Sequence, residues 1–235
     1  MSDLANASPR RHRSGEAVRL SYTGLARRYD QRWERYVEAS VAETLRRLEL
    51  GAGRSVLDVG CGTGALLRAI QRIDPSAQVR GIDLTPAMLR VAAGKLRPGT
   101  GLAAADAAAL PFAAASFDLV LSTSSLHFWA DPVAGLREMA RVARPAGRIV
   151  ITDWCDDYLA CWICDRVLRL ADRAYRRAYG QRECRRFLAA AGLRLERIDR
   201  YKINWLWGLM TARASGAAIS SRRSSPRPAR PPIPP

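Results

Sequence analysis

The chain has 235 residues, of which 48% are hydrophobic, and this length suits one large domain with or without a small attached cap. Residues 1–15 are polar and basic, and no segment offers the roughly 18 uninterrupted apolar residues that a membrane helix needs. These features predict a cytoplasmic protein with neither a signal peptide nor a membrane segment.

The formal net charge of +16 raises the hypothesis of a nucleic-acid partner, because clustered cations pair with phosphate. Only Lys95 and Lys202 are lysines, so the remaining 36 of the 38 cationic residues are arginines. Together with the abundant alanine, this skew is also typical of coding bias, and part of the excess lies in the terminal segments. A nucleic-acid partner is therefore an alternative that the charge alone does not favour.

Five cysteines do not form an even disulfide framework, and reduced thiols are expected. Cys161 and Cys164 have the spacing of a metal knuckle or a redox pair, with Cys155 and Cys184 as further candidate ligands. The pair lies in a helical pattern and lacks the glycine-rich turn that usually presents such thiolates. Buried structural thiols are favoured, and no metal is expected.

The pattern of apolar residues divides the chain into three parts. Residues 1–18 are predicted to be a disordered leader, residues 19–214 a single domain, and residues 215–235 a disordered tail of Ser, Arg and Pro. Apolar residues at helical spacing predict one helix over residues 20–50.

From residue 55 onward, strands and helices alternate, which is typical of a parallel doubly wound sheet. The predicted strands are 55–59, 79–83, 102–105, 117–122, 148–153, 193–200 and 205–212, and the predicted helices between them are 64–72, 86–95, 132–143 and 181–191. A further helical segment at 155–178 predicts a cap insertion. The expected fold is α/β and Rossmann-like, with about seven mostly parallel strands and a C-terminal antiparallel hairpin.

A strand, three glycines and a helix form a predicted nucleotide-binding turn, in which Gly60, Gly62 and Gly64 allow a tight backbone approach to a ligand. The spacing also fits the dinucleotide fingerprint of nicotinamide dehydrogenases. Asp58 would repel a pyrophosphate and suits a ligand with cationic ammonium and sulfonium groups, such as S-adenosylmethionine. Asp83, at the end of the second strand, can accept hydrogen bonds from the ribose hydroxyls of either cofactor.

Further motifs follow the glycine turn in a fixed order: 81–89, 105–112, 116–120, 126–129 and 137–148. Together with 56–64 they resemble the motifs of class I S-adenosylmethionine-dependent methyltransferases, in the subgroup of the ubiquinone/menaquinone and biotin-pathway enzymes (methyltransferase type 11). The resemblance covers residues 20–153 well. Ala146 departs from it, since the family usually has a second glycine in that structural turn.

The resemblance implies roles for single residues. Asp83 would hold the ribose, and Asp106 would accept a hydrogen bond from the adenine amino group. The Ala107 amide would donate a hydrogen bond to a nitrogen of the adenine ring. Asp106 taken alone also suits a turn cap. The remaining cofactor-binding candidates are Tyr22 and Tyr29 of an N-terminal helical lid, Cys61 and Thr63 of the glycine turn, Leu84 and Met88 after the second strand, and Thr123 after the fourth.

His127 follows the fourth strand, at the edge of the sheet where ligands bind in this architecture. An imidazole can take a proton from a substrate hydroxyl or carbon acid, so His127 is the candidate general base. The alternative is a lid or packing role beside Phe128 and Trp129. Many such enzymes act by proximity alone and need no general base.

The expected function is transfer of a methyl group to a small acceptor. The chemical class of that acceptor is inferred from residues 155–212, which are rich in aromatic side chains. If those aromatic side chains line a pocket, an apolar or aromatic metabolite fits best; the alternative is ordinary packing. The rival functions are an RNA or protein methyltransferase that uses the basic surface, and a non-catalytic subunit that binds S-adenosylmethionine.

Overall fold

The computed structural model describes residues 9–51, 53–172 and 174–216, which are built around one seven-stranded sheet. The strands are β1 (Ser55–Val59), β2 (Gln78–Asp83), β3 (Gly101–Ala104), β4 (Phe117–Thr123), β5 (Ala143–Trp154), β6 (Leu193–Lys202) and β7 (Gly208–Gly216). They lie in the order β3-β2-β1-β4-β5-β7-β6. The first five are parallel, and β7 is antiparallel to both β5 and β6. The predicted fold class, including the C-terminal hairpin, is confirmed.

The helices of the described residues are α1 (Pro9–Leu25), α2 (Tyr29–Arg46), α3 (Ala65–Ile73), α4 (Pro86–Ala93), α5 (Pro132–Val142), α6 (Leu159–Ala171) and α7 (Gln181–Ala190). Helices α4 and α5 begin with proline, whose missing N–H would be unpaired at the first helical position in any case. Asp131 caps α5 by accepting a 3.0 Å hydrogen bond from the Ala134 amide. Within the described ranges, no helix combines the length and apolar character needed to cross a bilayer.

The central strands are buried on both faces, which explains why they read as nearly continuous apolar runs. On one face, Leu57 and Val120 pack in a cluster with Met139 of α5. On the other face, Val56 and Leu121 pack in a cluster with the apolar side of α3. Asp58, Asp83 and Thr123 lie at or next to the carboxyl ends of β1, β2 and β4, where these strands meet.

The N-terminal region differs from the expectation in two respects. Helix α1 begins at Pro9, so residues 9–18 of the predicted leader are helical, while residues 1–8 lie outside the described chain. Val18 is buried, and the packing of α1 on α4 supplies a stabilisation that periodicity did not indicate. The predicted single helix over 20–50 is broken by a 3₁₀ turn at Ala26–Arg28, where Ala26 packs against α4.

The predicted cap segment, 155–178, is only partly helical. After α6 the chain follows an irregular course because the buried Asp165 carboxylate holds it there. Asp165 Oδ1 accepts hydrogen bonds from the Tyr175 hydroxyl at 3.0 Å and from the Ala178 amide at 2.7 Å. The Asp165 side chain, 13 positions before Ala178, thus accepts the hydrogen bond that a helical backbone carbonyl would otherwise accept.

The C-terminal strand also extends further than predicted. Ser215 and Gly216 continue β7 by pairing with Arg194 and Leu193 of β6, so the strand passes the predicted domain end at residue 214. Residues 217–235 of the predicted tail lie outside the described chain.

Candidate active site

A cavity opens at the carboxyl ends of β1, β2 and β4, and its empty volume, mouth included, is about 1140 Å³. The structure brings thirteen of the fourteen predicted cofactor residues to its wall. They are Tyr22, Tyr29, Asp58, Gly60, Cys61, Gly62, Thr63, Asp83, Leu84, Met88, Asp106, Ala107 and Thr123.

The glycine-rich turn between β1 and α3 brings backbone close to the cavity. Gly62 has φ +53°, and a Cβ placed there would meet no atom within 4 Å, so the missing side chain leaves space at the cavity wall. Gly64, the predicted residue that does not line the cavity, has φ +79° and immediately precedes α3. Its Cβ would lie 3.1 Å from side-chain atoms of Ala92 and Leu96, so Gly64 serves the packing of α4.

Asp83 joins the end of β2 to the glycine-rich turn. Its Oδ2 accepts a 2.9 Å hydrogen bond from the Gly62 amide, and its Oδ1 accepts a 2.8 Å hydrogen bond from the Thr85 amide. Burial raises the pKa of Asp83, although these amide hydrogen bonds act in the opposite direction. The carboxylate thus shapes the turn and also borders the cavity.

Asp58 is a buried acid with an unsatisfied oxygen. The residue is 2% exposed, and its Oδ1 has no hydrogen-bond partner among the described residues. Burial, followed by the charge of Asp83, raises the pKa of Asp58 to about 8. A cationic ligand group in the cavity would favour the charged carboxylate and satisfy this oxygen.

Asp106 also borders the cavity, where its side chain closes a turn. Its Oδ1 accepts a 2.8 Å hydrogen bond from the Ala108 amide. This contact matches the turn-capping alternative, and it leaves the other carboxylate oxygen for a ligand.

The N-terminal helices form a lid over the glycine-rich turn. The Thr63 hydroxyl donates a 2.6 Å hydrogen bond to Asp30 Oδ1, and Lys95 forms an ion pair with the other oxygen of the same carboxylate. Tyr22 and Tyr29 lie beside this contact and line the cavity, and burial raises the pKa of Tyr29 to about 12. Asp30 was not among the sequence candidates, although it directly follows Tyr29.

The opposite side of the cavity carries a chain of hydrogen bonds that the sequence did not indicate. The Trp154 indole donates a 2.6 Å hydrogen bond to the Tyr36 hydroxyl, which lies 2.6 Å from Ser124 Oγ. Ser124 follows β4 with φ +55°, and its amide donates to the Thr152 carbonyl at 2.8 Å. The position of Tyr36, seven residues after Tyr29 on the same helical face, is the one signal that pointed to it.

His127 lies behind the cavity and does not line it. Its Nδ1 is 2.6 Å from Asp153 Oδ1, and its ring stacks on Trp154 with centroids 4.6 Å apart. Its carbonyl accepts hydrogen bonds from the amides of Arg176 and Arg177, which follow α6. His127 is only 2% exposed, and its position therefore favours the packing role over that of a general base.

Four of the five cysteines are buried, namely Cys61, Cys155, Cys161 and Cys184. Cys161 Sγ accepts a 3.0 Å hydrogen bond from the Gly208 amide, and burial raises the pKa of Cys155 and of Cys184 to about 12. Thiols with raised pKa values are poor thiolate ligands. In residues 9–51, 53–172 and 174–216, no three His, Cys, Asp or Glu side chains converge on a point that could hold a metal ion.

The chain is similar to known methyltransferases. Residues 57–151 match the family described as methyltransferase domain. The chain is 33% identical over 156 residues to the malonyl-[acyl-carrier protein] O-methyltransferase of Hahella chejuensis, covering 66% of this chain and 53% of that protein. It is 33% identical over 154 residues to the demethylmenaquinone methyltransferase of Deinococcus radiodurans, covering 60% of this chain and 61% of that protein. The chain thus spans little more than half the length of these relatives.

The fold has a similar neighbour among solved structures. A chain from the complex of the Haloferax volcanii Trm112 methyltransferase activator with a methyltransferase has a TM-score of 0.76 at 21% identity, covering 85% of this chain and 97% of that one. The predicted resemblance is confirmed. Residues 57–151 carry the match to the methyltransferase domain family, and the solved structure shows the same fold.

Proposed function

We propose that the chain is an S-adenosylmethionine-dependent methyltransferase that acts on a small, apolar or aromatic metabolite. The observation that carries the proposal is that one cavity combines acidic and aromatic side chains. We call the wall at Asp58, Asp83 and Asp106 the acidic end and the wall at Tyr36 and Phe128 the aromatic end.

The acidic end fits the proposed cofactor. The unsatisfied Oδ1 of Asp58 suits a cationic group, and the space beside Gly62 admits a ligand close to backbone. Asp83 would hold the ribose, and Asp106 with the Ala107 amide would hold the adenine. When bound, S-adenosylmethionine supplies an electrophilic methyl group on a sulfonium.

The protein's own contribution would be alignment and exclusion of water. The lid residues Tyr22 and Tyr29 cover the cofactor end, and Tyr22 meets Phe128 edge to face with centroids 5.2 Å apart. Alignment of two bound reactants and a dry site account for much of the rate enhancement in transfers of this type. No imidazole of the described chain lines the cavity, which favours proximity as the main device.

Named relatives support a small-molecule acceptor. The protein from Deinococcus radiodurans is named for demethylmenaquinone, and the protein from Hahella chejuensis for a malonyl group on a carrier protein. An RNA acceptor is less favoured, because no Lys, Arg or His of the described chain lines the cavity despite the net charge of +16.

Calorimetry and a labelled-methyl screen test the proposal. We expect the protein to bind S-adenosylmethionine and S-adenosylhomocysteine, with no competition from nicotinamide dinucleotides. We expect labelled methyl transfer to apolar metabolites and none to RNA. Cofactor binding without transfer to any extract of small molecules, RNA or protein would instead support the non-catalytic subunit.

A further inference from the structure

We propose that Ser124 and Thr123 bind an uncharged carbonyl oxygen of the methyl acceptor. This inference rests on the proposed function, and it narrows the acceptor to neutral ketones, quinones or esters. It stands on the direction of a hydrogen-bond chain, on an unsatisfied hydroxyl and on the charges around the cavity.

The direction of the hydrogen-bond chain follows from the donors available. An indole N–H can only donate, so the Tyr36 oxygen accepts from Trp154. The phenol is buried, and its other partner in the described structure is Ser124 Oγ, so the phenolic proton goes to that oxygen. Ser124 Oγ therefore accepts from Tyr36 and keeps its own proton to donate. Burial raises the pKa of Tyr36 well above its usual range, so the phenol remains a donor at neutral pH.

A second hydroxyl lies next to this donor. Thr123 Oγ1 is buried and has no hydrogen-bond partner among the described residues, and both Thr123 and Ser124 line the cavity. A buried hydroxyl without a partner is unfavourable unless a ligand or water satisfies it. The unpaired Thr123 hydroxyl thus joins the Ser124 hydroxyl as a group of this wall that lacks a full set of partners.

The backbone at Ser124 is held in an unfavourable conformation. Its φ of +55° is uncommon for a residue with a side chain, and the hydrogen bond from its amide to Thr152 maintains it. Such conformations cluster at binding sites, where the strain directs a group at a ligand. Here the conformation brings the Ser124 hydroxyl to both Tyr36 and the cavity.

The charges around the cavity select a neutral ligand. The ionisable side chains of the acidic end are Asp58, Asp83 and Asp106, and no cationic side chain of the described chain lines the wall. An acceptor with a carboxylate or phosphate would meet no cationic side chain of the described wall to pair with, and Asp83 and Asp106 would repel it when ionised. A carbonyl accepts two hydrogen bonds and brings no charge.

Matched ligands test this inference without knowledge of the natural acceptor. Equilibrium dialysis would measure the Kd of 2-acetylnaphthalene and of 2-ethylnaphthalene, which differ by one carbonyl oxygen, on protein saturated with S-adenosylhomocysteine. We expect the ratio of the two Kd values (ethyl over acetyl) to fall by about fivefold or more in Ser124→Ala, because one hydrogen bond is lost. Ser124→Gly should give the same fall, and glycine adopts φ +55° without strain.

Tyrosine variants separate the site from general stability. Tyr36→Phe should also lower the ratio, because the proton of Ser124 is no longer directed to the cavity. The matched control is Tyr201→Phe, which removes a phenol hydroxyl bonded to Thr211 Oγ1 at 2.7 Å and lying outside the cavity wall. The control should leave the ratio unchanged.

Three results would overturn the inference. They are an unchanged ratio in both Ser124 variants, no measurable binding of 2-acetylnaphthalene to the wild type, and tighter binding of the anionic 2-naphthoate. Calorimetry with S-adenosylhomocysteine keeps the two proposals apart. Failure of the wild type to bind that ligand contradicts the proposed function, whereas normal binding with an unchanged ratio contradicts only the carbonyl site. Weaker cofactor binding in Ser124→Ala with an unchanged ratio would assign the hydroxyl to the cofactor.

Discussion

The Thr63 hydroxyl, in the glycine-rich turn, lies 2.6 Å from Oδ1 of Asp30 in the lid and donates a hydrogen bond to it. The same carboxylate pairs with Lys95, two residues after the end of α4. One side chain of the lid is thus fixed to two elements that border the cofactor end of the cavity. The contact links lid position to the shape of the turn.

Loss of this contact should speed release of the cofactor product. In Asp30→Ala, we expect S-adenosylhomocysteine to dissociate about three to ten times faster, because both the Thr63 hydrogen bond and the Lys95 ion pair that hold the lid are removed. Stopped-flow displacement would measure the rate. Glu34→Ala, on an exposed position of the same helix, is the control and should release the ligand at the wild-type rate. Equal rates for wild type and Asp30→Ala would show that the lid is held elsewhere.

Asp83→Ala should weaken cofactor binding by about 2–4 kcal/mol, since two charge-assisted hydrogen bonds to the ribose would be lost. The change also frees the Gly62 amide, so the turn should lose order. Calorimetry with S-adenosylhomocysteine measures the affinity. Asp74→Ala is a matched control because its carboxylate also accepts from two backbone amides, those of Gly53 and Ser76, but Asp74 does not line the cavity. Similar losses of affinity in both variants would contradict the assignment.

The raised pKa of Asp58 predicts a pH dependence of stability. The folded protein holds a proton on Asp58 up to about pH 8, whereas the unfolded chain releases it near 3.8. The native state therefore binds more protons in this window, and the free energy of unfolding of the cofactor-free protein should fall as pH rises, by roughly 1 kcal/mol per pH unit. Denaturant unfolding at pH 5 to 8 measures the slope, which Asp58→Asn should reduce.

Cofactor binding should have the opposite dependence on pH. The cationic sulfonium of S-adenosylmethionine favours the charged carboxylate, so its affinity should rise towards pH 8 more steeply than that of the uncharged-sulfur product. Asp58→Asn should bring the two pH profiles together. Parallel profiles in the wild type would place the sulfonium away from Asp58.

The parts of the site that the sequence predicted are those encoded by short spacing. Gly62 and Asp83 follow from one strand–turn–helix pattern, and their contact joins elements that the motif already places side by side. The contact between Tyr36 and Ser124 joins residues 88 positions apart, and that between Tyr36 and Trp154 joins residues 118 apart. No local pattern encodes such pairs, since they depend on how α2 crosses the carboxyl ends of β4 and β5.

The fold was predicted well where burial on both faces gives continuous apolar strands, as in Ser55–Val59 and Phe117–Thr123. The fold was predicted less well where contacts between distant segments determine the local structure. Helix α1 depends on packing against α4, and the course of the chain after α6 depends on the single buried carboxylate of Asp165. His127 was placed correctly at the end of β4, but the 3₁₀ turn at Leu126–Phe128 directs its ring to Asp153 and away from the cavity wall.

The variant His127→Ala distinguishes a packing role of His127 from a role as general base. The ring joins the segment after β4 to Asp153 at the end of β5, and the His127 carbonyl holds the chain after α6. His127→Ala should therefore lower the free energy of unfolding by about 2–4 kcal/mol, because it leaves the buried Asp153 carboxylate without this partner. Chemical denaturation measures the loss, and turnover should persist wherever the variant is folded and saturated with cofactor.

A double-mutant cycle with Asp153→Asn provides the control for this prediction. If the pair acts as a structural link, the two single losses of stability should not add, and the coupling should be about 1–3 kcal/mol. A general base would instead give a fall in turnover of about 100-fold or more in His127→Ala, with unchanged stability and loss of an ionisation near neutral pH from the rate profile. The stacking on Trp154, whose indole in turn holds Tyr36, makes the structural result the expected one.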